Sequence, residues 1–170
     1  SYYSFSLLKI ATATGDSKWI TGEEARTFAH RLRKQHDAVL VGIGTVLEDD
    51  PELTTRLVRG KNPVRVVLDS SLKISLMATV LNPLADTIIF TGLDSDIVKA
   101  EALAALPNVE VVRLPLADGV LPVAQVVQAL AERGITSLLV EGGSAIHGAF
   151  FDAGLADRVC AFVAPKLIGG

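Results

Sequence analysis

The chain has 170 residues, a formal net charge of −3 and one cysteine, and 49% of its residues are apolar. That length buries one ordinary core; the cysteine count excludes a disulfide framework, and the negative balance with few aromatic residues argues against general nucleic-acid binding. No apolar run reaches the roughly 18 residues of a membrane span and no secretory leader pattern is visible, so the expectation is a soluble, cytoplasmic globular domain.

Thr21 and Glu24 have the spacing of a capping box, which predicts a helix with Thr21 as its N-cap. Ala25, Phe28, Ala29 and Leu32 then form an apolar stripe at helical spacing, and Arg26, His30 and Arg33 share another face. Residues 38–43 read as a strand, followed by a short helix from Thr45 that must stop before Pro51. Further strands are expected at 64–68, 87–90, 109–112, 137–140 and 159–163, and helices at about 95–105, 123–133 and 144–153. The apolar runs are short, rich in β-branched residues and mostly continuous, as strands buried on both faces should be. Strand–helix alternation at this spacing predicts a largely parallel sheet covered by helices. Asn62-Pro63, Asn82-Pro83 and Pro107-Asn108 punctuate loops. Cys160, inside the 159–163 run, reads as a small core residue in a reducing compartment.

Ligands of such sheets bind beyond the carboxyl ends of the strands. Two of those ends pair glycines with a hydroxyl residue: Gly42-Ile43-Gly44-Thr45, and Glu141-Gly142-Gly143-Ser144, which opens a helix. Such glycines serve either a tight turn or the close approach of a phosphate to free backbone N–H groups. Having both at neighbouring positions favours a dinucleotide lying across the edge. Asp49 and Asp50 form either a polar helix end, with Asp50 capping the turn, or one carboxylate near the ligand. Arg33 and Arg56 are either solvated surface arginines or a bidentate clamp on a substrate phosphate. His30, His36 and His147 have no metal spacing, and no nucleophile–base set suggests itself.

An ordered series of motifs is more specific. It runs Gly15-Asp16-Ser17-Lys18-Trp19-Ile20-Thr21-Gly22, Ala25-Arg26, His30-Arg31-Leu32-Arg33, Asp37-Ala38-Val39-Leu40-Val41-Gly42, Gly44-Thr45-Val46, Asp49-Asp50-Pro51 and Leu53-Thr54 with Arg56. Pro63-Val64-Arg65-Val66-Val67-Leu68-Asp69-Ser70, Val140-Glu141-Gly142-Gly143 and the final Ala164-Pro165-Lys166-Leu167-Ile168-Gly169-Gly170 follow. The series resembles the reductase domain of the bifunctional riboflavin-biosynthesis deaminase/reductase, from about Lys9 to the last residue. The resemblance implies an α/β fold of the dihydrofolate-reductase-like kind, a mostly parallel central sheet flanked by helices. It also implies 5-amino-6-(5-phosphoribosylamino)uracil reductase activity with NADPH as hydride donor to C1′ of the ribosyl group, giving the ribitylamino product. By matching position, Ser17, Arg33, Leu53, Arg56 and Glu141 would contact the phosphorylated pyrimidine substrate. Trp19, Thr45, Asp49, Ser70 and the run Gly143, Ser144, Ala145, Ile146, His147, Gly148 and Ala149 would contact NADPH. Asp49 is the expected catalytic residue, orienting the carboxamide or assisting the proton transfer that accompanies hydride addition; the sequence does not separate these roles.

Against the family pattern, residues 1–170 read as a single reductase domain lacking an internal loop near 9–12 and the C-terminal strands. A zinc-binding deaminase motif is absent, so a deaminase partner would be fused elsewhere or separate. A homodimer is expected. The alternatives are a paralogous NADPH reductase acting on another pterin- or pyrimidine-like substrate, and a non-catalytic nucleotide-binding module. Membrane or nucleic-acid partners are not expected.

Overall fold

The computed structural model describes residues 4–8, as backbone, and residues 23–161. In chain order the elements are β1 (Ser4–Leu8), α1 (Glu23–Gln35), β2 (Ala38–Gly42), α2 (Ile43–Asp49), β3 (Val64–Leu68), β4 (Thr87–Gly92), α3 (Ile97–Ala104), β5 (Val109–Leu114), α4 (Val123–Glu132), β6 (Ser137–Glu141), α5 (Ser144–Asp152) and β7 (Arg158–Val159), with a 3-10 turn at Thr79–Leu81. The strands make one seven-stranded sheet in the order β5-β4-β3-β2-β6-β1-β7, and each named pair is parallel.

The continuous apolar runs are explained by burial on both faces. Ala38 and Leu40 of β2, Val66 of β3 and Leu138 and Val140 of β6 point to the face covered by Val126 and Leu130 of α4 and Phe150 of α5. Val39 and Val41, Val67 and Leu139 point the other way, against Leu32 of α1, Val46 of α2 and Leu103 of α3. Most of these side chains are fully buried, each contributing about 1.5–3 kcal/mol relative to exposure. Cys160 is free and half-buried against the second cluster.

Three sequence expectations change. The second strand ends at Gly42 rather than Ile43, and α2 begins at once at Ile43, so Gly44 and Thr45 lie inside the helix. Gly42, extended at φ −86° and ψ 159°, is the N-cap without a side-chain cap. On α1 Leu32 of the apolar stripe is buried and Ala25 and Ala29 are half-buried, but Phe28 is 41% exposed and His30 is buried, so the covered face is the stripe shifted to include His30. Of the strand expected at 159–163, β7 covers only Val159, with Arg158 before it, and Cys160 and Ala161 are not in a strand; residues 162–163, the Thr21 cap and the segment near 9–12 lie outside the described residues.

Polar rivets fix the amino-terminal ends of the strands. The Asp37 carboxylate accepts hydrogen bonds from the backbone N–H and hydroxyl of both Thr136 and Ser137, each at 2.9 Å, joining β2 to β6. Burial opposes its charge, but those four bonds hold its carboxyl below the usual value of 3.8. Arg65, fully buried at the start of β3, donates to Thr87 Oγ1 (3.0 Å), Asn82 Oδ1 (2.8 Å) and the carbonyls of Asn82 (2.5 Å) and Ala85. Burial pulls its pKa down to about 10, against the charges of Glu52 and Asp86.

Candidate active site

The strand order creates the site. From β2 the chain moves outward through α2 to β3; from β6 it moves the other way through α5 to β7. The two exits diverge at the carboxyl ends of neighbouring strands, which opens the kind of crevice where ligands of open α/β sheets bind. Leu40 pairs with Val140, so Gly42 and Gly142 come side by side. A Cβ on Gly42 would meet Ile146 Cγ1 at 3.0 Å and Cδ1 at 3.2 Å, and one on Gly142 would lie 3.7 Å from the Gly42 nitrogen. Glycine at position 42 therefore lets α5 pack down on β2. Gly143 serves a different end: nothing lies within 4 Å of where its Cβ would be, and it caps α5 with no side-chain hydrogen bond. Ser144 and Ala145 are exposed, so the first backbone N–H groups of α5 face open space with the positive end of the helix dipole.

On the opposite face of the sheet, α1 brings a base to the end of β6. Arg33 Nε donates to Glu141 Oε1 at 2.7 Å and Nη2 to Oε2 at 2.6 Å, a bidentate pair whose side chains are each 13% exposed. Nη1 donates to the Thr54 carbonyl at 3.2 Å. Burial works to lower the Arg33 pKa, but the Glu141 hydrogen bonds and charge, with Glu52 beyond, outweigh it and hold the guanidinium above its ordinary value. The fork expected to grip a phosphate thus belongs to Glu141. The guanidinium retains further N–H donors on Nη1 and Nη2 with no partner among the described residues.

Arg26, His30, Arg33 and Arg56, with Glu23 and Thr27, are among the residues that line a groove of about 500 Å³ beside this pair. The face of α1 shared by Arg26, His30 and Arg33 is therefore a wall of this groove. Arg56 is the exposed cation there: its side chain is 58% exposed and its only ion pair among the described residues is a 3.9 Å contact with Glu52. Burial first, then the charges of Arg33 and Arg56, hold the His30 imidazole below 6.5.

The loop that carries Arg56 is built on strained backbone. Asp50 (φ 40°) and Leu53 (φ 55°) are both left-handed, a conformation that costs a branched residue about 1–2 kcal/mol. Leu53 is buried, and the loop is secured by side chains. Asp50 accepts from the Thr79 N–H (2.7 Å) and hydroxyl (2.6 Å), bonds that lower its pKa. The Thr55 N–H and hydroxyl both donate to Asn62 Oδ1 at 2.9 Å, and the Thr54 hydroxyl donates to Glu52. Asp50 is thus a structural tie, whereas Asp49 is exposed as the last residue of α2.

Of the residues expected to contact substrate, the structure brings together Arg33, Arg56 and Glu141, while Leu53 is buried in the core beneath the loop. Thr45 and Asp49 stand one turn apart on α2, the first half-buried and the second exposed. Among the described residues no hydrogen bond or ion pair joins Asp49 to the arginine groove. Ser70 follows β3, half-buried, and its carbonyl accepts the Gly92 N–H at 3.0 Å, tying two strand ends together. Gly143 to Ala149 open α5, where burial holds His147 below 6.5 although its bond to the Val140 backbone works the other way. Ser17 and Trp19 lie outside the described residues. Sequence reasoning gave no role to His30 or Thr54; the one available signal was the spacing of His30 with Arg26 and Arg33.

Comparison with known proteins agrees with this architecture. The profile of the RibD C-terminal domain matches residues 9–170. The riboflavin biosynthesis protein RibD of Bacillus amyloliquefaciens is 48% identical over 164 residues, 95% of this chain and 43% of that protein. The 2,5-diamino-6-ribosylamino-4(3H)-pyrimidinone 5′-phosphate reductase of Methanothermobacter thermautotrophicus is 39% identical over 165 residues, 95% of this chain and 74% of that protein. A crystal structure of the diaminohydroxyphosphoribosylaminopyrimidine deaminase/5-amino-6-(5-phosphoribosylamino)uracil reductase of Thermotoga maritima superposes with a TM-score of 0.78 at 39% identity, over 98% of this chain and 46% of that one. The chain thus spans less than half the length of the Bacillus and Thermotoga proteins. With its profile match, its identities and its dihydrofolate-reductase-like sheet taken together, the chain belongs to the RibD C-terminal domain family.

Proposed function

We propose that the domain is an NADPH-dependent oxidoreductase that reduces the ribosyl group of 5-amino-6-(5-phosphoribosylamino)uracil to the ribitylamino product of riboflavin biosynthesis. The observation that carries this reading is the juxtaposition of an arginine-lined groove with a glycine-edged crevice at the β2/β6 divergence, in a chain of this family. The residues fit the cofactor: Gly143, Ser144 and Ala145 leave room and N–H groups for a diphosphate, and Thr45 and Asp49 stand near the same strand ends. When bound, NADPH supplies the hydride that adds to C1′ of the opened, imine-like sugar.

The chain's own contribution is placement. Arg56 swings onto the substrate phosphate, the remaining donors of Arg33 assist it, and Glu141 keeps Arg33 from turning away. Leu53, buried in the core, anchors the loop that carries Arg56. Asp49 orients the carboxamide of the cofactor or helps deliver the proton that balances hydride addition. The domain acts in the cytoplasm as a homodimer, with deamination supplied by a fused or separate enzyme.

A second reading concerns the substrate alone. The Methanothermobacter relative is named for the 2,5-diamino pyrimidinone, which keeps the group that deamination removes. Loss of reduced-nicotinamide absorbance with each of the two phosphoribosyl substrates, and NADPH binding on the same sample, tests both. Turnover with the uracil compound supports the main reading, and preference for the diamino compound supports the second. NADPH binding with neither turned over would overturn both.

A further inference from the structure

Asp69, the residue after β3, is fully buried. A carboxylate is costly to bury unless it is hydrogen-bonded, and this one makes a single such bond. Oδ2 accepts the Ile74 N–H at 2.8 Å, while Oδ1 has no hydrogen-bond partner among the described residues. The Asp69 carbonyl accepts the Leu72 N–H at 3.0 Å. Side chain and backbone of one residue therefore close the same turn, 69–74, at two points. The Asp69 N–H donates to the Phe90 carbonyl at 2.9 Å, which fastens the base of the turn to β4.

The turn needs this fastening. Leu72 is left-handed, with a φ of 54°, a conformation unfavourable for any residue with a Cβ. Leu72 and Ile74 are buried in the cluster that holds Val46 and Leu53, while Ser71 and Lys73 are exposed. Ser70, half-buried, is held from the other side. Its carbonyl accepts the Gly92 N–H at 3.0 Å and the Thr91 hydroxyl at 3.4 Å. A Cβ on Gly92 would come within 2.9 Å of that carbonyl oxygen, so the approach requires glycine. Leu68 pairs with Gly42, so Ser70 leaves the sheet one strand over from the crevice. We infer that Asp69 is a positioning residue for the cofactor: by accepting the Ile74 N–H, its buried carboxylate closes the 69–74 turn and fixes Ser70 beside the crevice. The inference deepens the proposed function, since it rests on Ser70 meeting NADPH there. What the turn uses is an acceptor rather than a charge, because no cation pairs with Asp69 among the described residues.

The test compares Asp69→Asn and Asp69→Ala in the full chain. Asn keeps an acceptor oxygen for the Ile74 N–H, whereas Ala removes it. For Ala the Kd for NADPH should rise about tenfold. Its KM for the phosphoribosyl substrate at saturating NADPH should stay within about twofold of the parent, because Arg33, Arg56 and Glu141 lie on other elements. Asn should restore NADPH affinity to within about threefold. Should Ala not fold, Asp69→Ser, whose hydroxyl lies one bond short of Oδ2, takes its place with the same expectation. Amide hydrogen exchange supplies a readout independent of turnover. The Ile74 N–H should exchange about as slowly as the amides of β3 in the parent, and about tenfold faster in the Ala or Ser variant. Amides of α1 and α4 should not change. An unprotected Ile74 amide in the parent, equal NADPH affinities for Asn and Ala, or a defect shared equally by cofactor and substrate would overturn the inference. Should the parent not bind NADPH, the proposed function falls, while Ile74 exchange still decides whether Asp69 closes the turn.

Discussion

Arg33 on α1 and Glu141 at the end of β6 are 108 residues apart in sequence and form a bidentate pair at 2.7 and 2.6 Å. Neither can be exchanged conservatively. Arg33→Lys loses the planar fork, and Glu141→Gln leaves a half-buried guanidinium without its counter-charge. Each should cost about 2–3 kcal/mol in urea unfolding, below the range for fully buried pairs because both side chains keep some exposure. Each should also raise the substrate KM. A loss under about 0.5 kcal/mol would show the pair to be a surface contact.

Arg56 offers the opposite profile. Its side chain is 58% exposed and barely paired, so Arg56→Ala should move stability by less than about 0.5 kcal/mol. If it takes the substrate phosphate, KM rises about 10- to 100-fold, the worth of a charge-assisted hydrogen bond. NADPH titration should be unaffected; equal weakening of cofactor and substrate would remove the phosphate assignment.

Asp49 is exposed and has no partner among the described residues, so Asp49→Asn should leave the melting temperature alone. Turnover should fall about 10²- to 10⁴-fold if the carboxylate assists proton transfer. A rate unchanged under saturating conditions would confine Asp49 to binding or to nothing.

Gly42→Ala places a methyl 3.0 Å from Ile146 Cγ1. Overpacking of this kind costs about 1–3 kcal/mol, and the Ile146 side chain can relieve part of it, so the lower end is expected. Ile146→Ala should rescue it, giving a favourable coupling in a double-mutant cycle. Additive effects would mean that Gly42 is required for some other reason.

His30 and His147 are both held below 6.5. The unfolded chain therefore takes up protons first as pH falls. Neither group affects stability well above 6.5; below it stability declines, levelling off under the folded values. The slope is at most about 1.4 kcal/mol per pH unit for each group. Urea midpoints between pH 8 and 5 measure it, and His147→Gln should flatten the curve. Asp37, held below 3.8, adds a separate loss only at more acidic pH.

Local pattern carried the strands well because both faces of the sheet are buried, so 64–68 and 137–140 are apolar almost throughout. It failed at Ile43, where β-branched residues disfavour helix intrinsically but packing of Val46 under α2 prevails. On α1 it missed that His30 and Arg33 join Leu32 on the covered face, because the Arg33 partners Thr54 and Glu141 lie far along the chain. Arg65 reads as one polar residue within a strand; nothing local announces that carbonyls of the Asn82–Ala85 turn await its guanidinium. The sequence offers Asp50 as a turn cap, but not that its carboxylate accepts from Thr79, 29 residues away. Contacts between distant segments, such as Arg33 with Glu141 and Asp50 with Thr79, were not legible in the sequence.

The position of β6 between β2 and β1 has a consequence for how the domain acquires its competence. Strands β2 to β5 can assemble in the order in which they leave the ribosome, each beside its predecessor. The central slot stays vacant until Glu141 has been synthesised, leaving one edge of β2 unpaired. Closing it requires contacts of long sequence separation, which form slowly. Arg33 then meets its counter-charge, Gly42 meets Gly142 and the start of α5 swings into place in a single event. The groove and the crevice are thus completed together and late, and ligands that bind there stabilise the last contacts to form.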